Sequence, residues 1–443
     1  MMKLACAVAA LCGVVGSASG QSIGADVTHQ DIQDIVNYTP VGGIRAYSLG
    51  SYTCNLGNVT LAWVNNGTPG LAMNAYRLHN GRMQQIGMSW VKSACCAASG
   101  SGCGLTCNSG AAGTGLKPGC RDVYSGSWNG GQSRMAPRST WNAWTGAETF
   151  NGGTTGTSID KRLQITQTDL TAANFPGATY FVEGVYSASD DATAGNWANN
   201  CTYKRVTVDA AYNLVLASGS QQMGTPAIQA WRTHGLGTNL IDARVEVGTI
   251  DVPGEGRFYV ANKITDLGNG QWLYDYAVFN MNSDRSAGSF EVPVPAGVSV
   301  TNIGFSDVNY HSGEVYANTD WTNERVASGV RWSSPQTFAQ NANTNALRWG
   351  TMYNFWFTAN KPARGGAATL GLFKPGTPGS ISPNVRVPGC PADINFDGSI
   401  DGDDVIEFFG AWDSARIEAD FNSDGAVDGD DVIQFFVSWD GNC

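Results

Sequence analysis

Charge is what this sequence holds least of. Asp, Glu, Lys and Arg together make up 14% of its 443 residues, and histidine occurs four times, at His29, His79, His234 and His311, without ligand-like spacing. No basic stretch of the kind that tracks a phosphate backbone is present, which argues against a nucleic-acid partner. Beyond Val15 no apolar run approaches the ~20 residues that span a bilayer, so no membrane span is expected. No Gly-x-Ser-x-Gly elbow, phosphate-binding loop or His-Glu-x-x-His pattern occurs, and the chemistries recognised by those motifs are set aside. Helical periodicity is scarce as well, confined before the tail to Asp31 to Val36 and Ala72 to Leu78.

What is present suits an exported protein. Met1-Met2-Lys3 is a short basic start, Leu4 to Val15 is apolar, and Ala18-Ser19-Gly20 offers the small residues that signal peptidase accepts. Residues 1–20 therefore read as a signal peptide. The mature chain is expected to begin near Gln21 and to be secreted or extracellular, including attachment at a cell surface. Of eleven cysteines, Cys6 and Cys12 fall in that segment, leaving Cys54, Cys95, Cys96, Cys103, Cys107, Cys120, Cys201, Cys390 and Cys443. An oxidising compartment pairs most of these, and the odd count leaves at least one unpaired or bonded elsewhere.

The 56 glycines, 14 tryptophans and 15 tyrosines favour strands and long loops over helices. Phe258 to Thr265, a turn over Asp266 to Gly270, and Gln271 to Phe279 read as a β-hairpin. Its second arm places Trp272, Tyr274, Tyr276 and Val278 on one face. Tyr180 to Tyr186, Val206 to Val208, Leu214 to Leu216, Val298 to Phe305, Thr351 to Thr358 and Ala368 to Phe373 read as further strands. Phe290 to Val294 does too, with Pro293 suggesting an edge position. The expected fold is mainly β, an antiparallel sandwich or jelly-roll-like body over residues 21–374, as one unit or two divided near His234 to Asn239. Within it lies a cysteine-rich loop, residues 93–131, that covalent staples are expected to order. Residues 375–389, rich in Pro, Gly and Ser, read as a linker. A small α-helical module over residues 390–443 completes the chain.

That module is where the acidity sits. From Cys390 onward there are 14 acidic residues against Arg416 alone, a net −13; the whole chain carries −11, so the remainder stands at +2. The tail repeats itself: Asp393-Ile-Asn395-Phe-Asp397-Gly398-Ser399-Ile400-Asp401-Gly402-Asp403-Asp404 recurs 27 residues on as Asp420-Phe-Asn422-Ser-Asp424-Gly425-Ala426-Val427-Asp428-Gly429-Asp430-Asp431. Oxygen donors stand at loop positions 1, 3, 5, 9 and 12, position 7 offers its carbonyl, and glycine stands at 6 where the chain must reverse around a calcium ion. The candidate ligands are Asp393, Asn395, Asp397, Ser399, Asp401 and Asp404, then Asp420, Asn422, Asp424, Ala426, Asp428 and Asp431, for two Ca²⁺ ions. Ile400 and Val427 are expected to pair across the loops. Val405, Phe409 and Trp412 are expected to face Val432, Phe436 and Trp439.

On these residues the tail resembles the dockerin family, with its tandem EF-hand-like loops each followed by one helix. It is most similar to GC-type dockerin-anchored secreted bacterial proteins, given the repeated Asp-Gly-Asp-Asp-Val-Ile, the Phe-Phe and Trp-Asp pairs, and the bracketing Cys390 and Cys443. The resemblance covers about an eighth of the chain. It implies calcium binding, a Cys390–Cys443 disulfide across the module's ends, and docking to a cohesin-like or other cell-surface protein. Positions 10 and 11 depart from the family, carrying Gly402-Asp403 and Gly429-Asp430.

The body carries no motif that names an activity. Cys95, Cys103, Cys107 and Cys120 could be drawn as a zinc site but lack paired knuckles, so disulfides are preferred. Glu183, Asp190, Asp191, Asp275 and Asp307 are candidate catalytic carboxylates, with surface or turn roles as the default. Exposed aromatic rings could form a polysaccharide platform, although most are expected in the core. The sequence thus points to a secreted calcium-binding protein that anchors a β body to a partner. The alternative is a dockerin-bearing polysaccharide-degrading enzyme, an O-glycosyl hydrolase or lyase.

Overall fold

The computed structural model describes residues 21–97, 100–107, 113–149, 152–153, 156–395, 399–422 and 425–441. It is mainly β throughout the body, with antiparallel sheets, and ends in a small helical region. No helix among the described residues is long and apolar enough to cross a membrane. The proposed signal peptide lies outside the described residues.

The first half is a sheet that nearly closes on itself. Its strands run in the order Leu214–Leu216, Cys201–Val208, Thr179–Ser187, Gly70–His79, Arg82–Ser93, Leu163–Thr166, Ile44–Leu49, Ile35–Asn37. The seam between its outermost strands is bridged by one side chain. The Asn37 amide oxygen accepts from the Leu214 N–H at 2.8 Å, and its nitrogen donates to the Leu214 carbonyl at 3.5 Å. A side-chain amide thus stands in for a missing rung of the ladder. Period-two alternation sends Leu71, Met73 and Val182 inward and Ala72, Tyr76 and Phe181 outward. Both faces of Gly70–His79 are therefore buried, which corrects the helical reading of Ala72 to Leu78. An apolar run covered on both sides loses the alternation that marks a strand. Asp31 to Val36 is likewise not helical, since it spans the end of strand Val27–Asp31 and the start of Ile35–Asn37.

The outward face packs on a five-stranded sheet in the order Val245–Asp251, Arg257–Gly268, Gln271–Asn280, Thr351–Ala359, Val300–Ser306. The predicted hairpin is present in it, with Arg257–Gly268 paired to Gln271–Asn280. Tyr259, Ala261, Ala277 and Phe279 meet the first half, while Phe258, Val260, Tyr274, Tyr276 and Val278 face a second sheet. That sheet runs Thr322–Arg325, Gly329–Ser333, Ala287–Pro293, Thr369–Leu372, Ser380–Ile381. Aromatic rings fill the sandwich, with Phe290 and Phe355 at 4.8 Å and Tyr274 stacked on Phe357 at 5.0 Å.

Two expectations change here. Ala287–Pro293 is the central strand of its sheet, not an edge; Pro293 is tolerated because it is the last residue of the strand, opposite Gly329. Residues 375–389 are no free linker. Asn384–Pro388 pairs with Ala363–Ala367, and Val385 and Val387 are buried in the sandwich core. The prolines and glycines masked two short strands whose apolar residues are few but well placed.

The cysteine-rich loop is stapled as expected, by Cys54–Cys103 and Cys107–Cys120. The four-cysteine zinc drawing is thereby excluded, since three of its members are bonded and Cys95 is free. A buried guanidinium braces the first half and reaches the second at one carbonyl, that of Gly350. Arg138 donates to the Ser89, Met73 and Gly350 carbonyls and to Asn74 Oδ1, at 2.7, 3.1, 2.9 and 2.8 Å.

Candidate functional site

In the tail, sequence repetition becomes geometric repetition. The helices Gly402–Asp413 and Gly429–Asp440 both begin in a capping box. Asp401 Oδ1 accepts from the Asp403 N–H at 3.0 Å and Asp404 Oδ2 accepts from the Asp401 N–H at 3.0 Å. Their counterparts, Asp428 with Asp430 and Asp431 with Asp428, sit at 3.0 and 2.8 Å. Each helix end thus meets two of its free N–H groups with carboxylate oxygens, in the favourable field of the helix dipole.

The last aspartate of each loop also reaches back to the loop's beginning. Asp404 Oδ1 accepts from the Ile394 and Asn395 N–H groups at 2.9 and 3.1 Å, and Asp431 Oδ1 from Phe421 and Asn422 at 2.8 and 3.1 Å. Both carboxylates are fully buried, with Asp420 2% and Asp393 9% exposed. In the second loop Asp420 Oδ2 accepts from the Gly425 N–H at 3.0 Å, and Gly425 has φ +91°, a conformation that favours glycine. In the first, Asp393 Oδ1 is buried with no hydrogen-bond partner among the described residues. A buried carboxylate oxygen left without a partner is costly, so this donor set suits a hard cation.

The structure thus ties the backbone of the second and third residues of each loop to the carboxylate of its twelfth. Asp401 and Asp428 are turned to helix capping. Ser399 and Ala426 are exposed just ahead of the helices. Asp397, Asp424 and Cys443 lie outside the described residues. Cys390 is disulfide-bonded. Among the described residues no group of three or more His, Cys, Asp or Glu side chains is gathered as a metal site.

The helices meet through different rings from those expected. Phe408 stacks on Phe435 at 4.2 Å, and Phe408, Ala411 and Phe435 are buried. Val405, Trp412, Val432 and Trp439 flank them as expected, but Phe409 and Phe436 are 38% and 37% exposed. Ala411 is buried in the same cluster, on the Phe408 side of its helix. Ile400 and Val427 pack on the same cluster without a described bridge between them. Outside the cluster Ile406 and Ile433, also 27 residues apart, are exposed.

The module rests on the body. Arg364 lies beside Asp393, whose carboxylate opposes the downward push of burial on that guanidinium. A cavity of about 190 Å³ along this seam is lined by Arg244, Arg364, Arg386, Glu418 and Phe421, among others.

The candidate carboxylates of the body do not converge. Glu183 is buried, accepting from Tyr76 Oη (2.6 Å), Asn74 Nδ2 (2.9 Å) and the Ala227 N–H (2.7 Å). Asp190 accepts from the Ala62 N–H, Asp191 from Val27 N–H and Asn200 Nδ2, and Asp275 pairs with Arg82. Asp307 lines a cleft, with Asp169, Gln84 and Gln164. Burial pushes its carboxyl up to about 6, but no Phe, Tyr or Trp ring is among the described residues lining that cleft. The large aromatics Trp63, Trp231 and Trp332 are core. The four histidines are separate: His29 touches Gly184 O, His311 touches Met88 O and Ser312, His234 accepts from Asn239, and His79 packs on Phe175.

No family model and no curated protein matches the chain. Among solved structures, one of an exo-beta-D-glucosaminidase aligns at 8% identity and a TM-score of 0.14, covering 80% of this chain and 26% of that one. The chain thus spans about a quarter of that protein's length. A biofilm associated protein B domain aligns at 12% identity and a TM-score of 0.13, covering 95% and 97%. Likenesses this low carry no argument about fold or function.

Proposed function

We propose that residues 390–443 form a calcium-dependent docking module of the dockerin type, and that it anchors a non-catalytic β body to a cohesin-like or other cell-surface protein outside the cell. The observation that carries this reading is the duplicated arrangement at Asp404 and Asp431. Each is a fully buried carboxylate that gathers the start of its own loop, with Asp393 Oδ1 unpartnered nearby. Asp393, Asn395, Asp397, Asp401, Asp404 and the Ser399 carbonyl would hold one ion. Asp420, Asn422, Asp424, Asp428, Asp431 and the Ala426 carbonyl would hold the other. Bound calcium supplies charge neutralisation to acidic loops that otherwise repel themselves. The chain's own part is to order the donors: capping boxes fix Asp401 and Asp428, and the back-reaching carboxylates fix the loop starts. The exposed pairs Ile406/Phe409 and Ile433/Phe436 offer the same apolar surface twice to a partner. A clasp between Cys390 and Cys443 belongs to this proposal.

Calorimetric titration of the full chain with calcium tests it. Two ions are expected to bind, with Asp404→Ala and Asp431→Ala each reducing the stoichiometry to one. No heat and no change in tail helicity would sink the reading.

A second reading, a polysaccharide-degrading enzyme, has one observation in its favour, the raised carboxyl of Asp307 in its polar cleft. Its neighbour Asp169 is tied to Arg77 at 2.7 Å. Asp307→Asn abolishing the release of reducing ends from a polysaccharide would establish this reading over the first.

A further inference from the structure

Two adjacent thiols stand apart from the tail and from both stapled disulfides. Strand Arg82–Ser93 ends where the Ala94 N–H donates to the Gly67 and Pro69 carbonyls at 3.1 and 2.9 Å. Two residues past Cys95, the Ala97 N–H donates to Gly113 O at 3.0 Å. The backbone carrying Cys95 and Cys96 is therefore pinned on both sides. Cys95 is buried and Cys96 exposed, and their sulfurs lie 2.7 Å apart. A bonded pair sits at about 2.05 Å, so only about 0.7 Å separates them from a disulfide. The third free cysteine, Cys201, is buried in the core between the two halves and offers neither a partner.

The surroundings suit thiol chemistry. Burial raises the Cys95 thiol, but hydrogen bonds from Cys96 and the nearby Arg134 guanidinium outweigh it and leave it below the ordinary thiol value, while the contact with Cys95 holds the Cys96 thiol above it. Lys92, buried with its ammonium 3.7 Å from the centre of the Tyr124 ring, is pushed down to about 7 by burial. Tyr124 Oη donates to the Cys96 carbonyl at 2.9 Å and holds the exposed member of the pair.

We propose that Cys95 and Cys96 form a thiol–disulfide exchange site that takes small-molecule disulfides and closes to a disulfide between neighbours. The exposed Cys96 attacks one sulfur of the incoming disulfide and gives up its proton to the departing thiolate. That S–S bond breaks and the first thiolate leaves. Cys95, as its thiolate, then attacks Cys96 Sγ and expels the second. Two protein S–H protons end on two small thiols, and the two electrons released by the pair reduce the small disulfide. Access belongs to Cys96, and the lowered thiol belongs to Cys95, which resolves the mixed disulfide.

The test incubates the full chain with glutathione disulfide and reads the products by mass spectrometry of unreduced digests. The wild type is expected to yield a Cys95–Cys96 peptide lighter by two hydrogens, with Cys54–Cys103 intact. Cys95→Ser is expected to accumulate one glutathionyl group on Cys96. Cys96→Ser is expected to stay unmodified, because Cys95 is buried. Both thiols remaining open to alkylation after oxidation, a stable mixed disulfide on the wild type, or a bond from either cysteine to any other residue overturns the proposal. Circular dichroism of the two isosteric variants separates a chemical effect from misfolding.

Discussion

Asp191 shows what one buried carboxyl does to the pH dependence of this fold. Burial pushes it up to about 8; hydrogen bonds from Asn200 and Val27 oppose that shift, while neighbouring Asp26 and Asp190 add to it. A carboxyl whose folded value exceeds its unfolded value of about 3.9 binds its proton more tightly in the folded state. Its stabilising contribution is therefore full below about pH 4 and is lost as pH rises through about 8, at no more than about 1.4 kcal/mol per pH unit. Asp191→Asn mimics the protonated group. Asn200 Oδ1 has no hydrogen-bond partner, so a turn of that amide accommodates the new NH₂. Denaturant titrations across this range are expected to show the variant matching wild type near pH 4 and exceeding it at pH 7. Parallel curves would remove Asp191 from the account.

Among the elements, the tail helices offer the sharpest contrast. Phe408 is fully buried and stacked on Phe435, whereas Phe409 next to it is 38% exposed. Phe408→Ala is expected to cost the calcium-loaded tail about 3–5 kcal/mol, the usual range for emptying a buried aromatic site. Phe409→Ala should cost about 1 kcal/mol or less. Hydrogen exchange of the tail amides in the full chain measures both, and equal losses would contradict the packing. Spacing alone did not distinguish the two rings, because positions three and four residues from Val405 both fall on the inner face. The stack of Phe408 on Phe435, a contact between elements, decided it.

The same logic separates what the sequence makes legible from what it hides. The hairpin Arg257–Gly268 with Gln271–Asn280 was readable because alternate residues face two different cores across a clear Gly-Asn-Gly turn. Gly70–His79 was not, since its both-sided burial erases alternation. Asn384–Pro388 was hidden because only Val385 and Val387 of its residues enter the core. The loop repeat was legible because its residues recur position by position 27 residues apart. The pairing of Phe408 with Phe435, the Arg138 junction and the Cys95–Cys96 contact depend on long-range packing and left no local pattern.

At the scale of the whole molecule, Arg138 braces the near-barrel where it meets the sandwich. Met73, Asn74 and Ser89 on its own side and Gly350 across the junction offer its guanidinium four oxygen acceptors, and the Gly350 carbonyl also accepts from Asn74 Nδ2 at 3.0 Å. Arg138→Met removes this donor from all four and should cost about 3 kcal/mol or more. Because Asn74 keeps its bond across the junction, calorimetry is expected to show one transition, lowered in temperature. Two resolved transitions would make Arg138 the tie on which the halves depend.

The tail's seat on the body carries the last consequence. Arg364 faces Asp393, and the ribbon strand Ala363–Ala367 lies against the turn Ile417–Ala419. If the acidic loops are ordered by calcium, withdrawing it unmakes the surface that Pro391, Ile394 and Phe421 present to this seam. Chelation is then expected to speed amide exchange in the tail and in Ala363–Ala367 and Asn384–Pro388 together, while Gly70–His79, buried on both faces, stays protected. Restored calcium should reverse both changes at one midpoint. Exchange that rises in the tail while the ribbon is unmoved would show the module riding free of the body, and Arg364 would then be a surface cation with no part in docking.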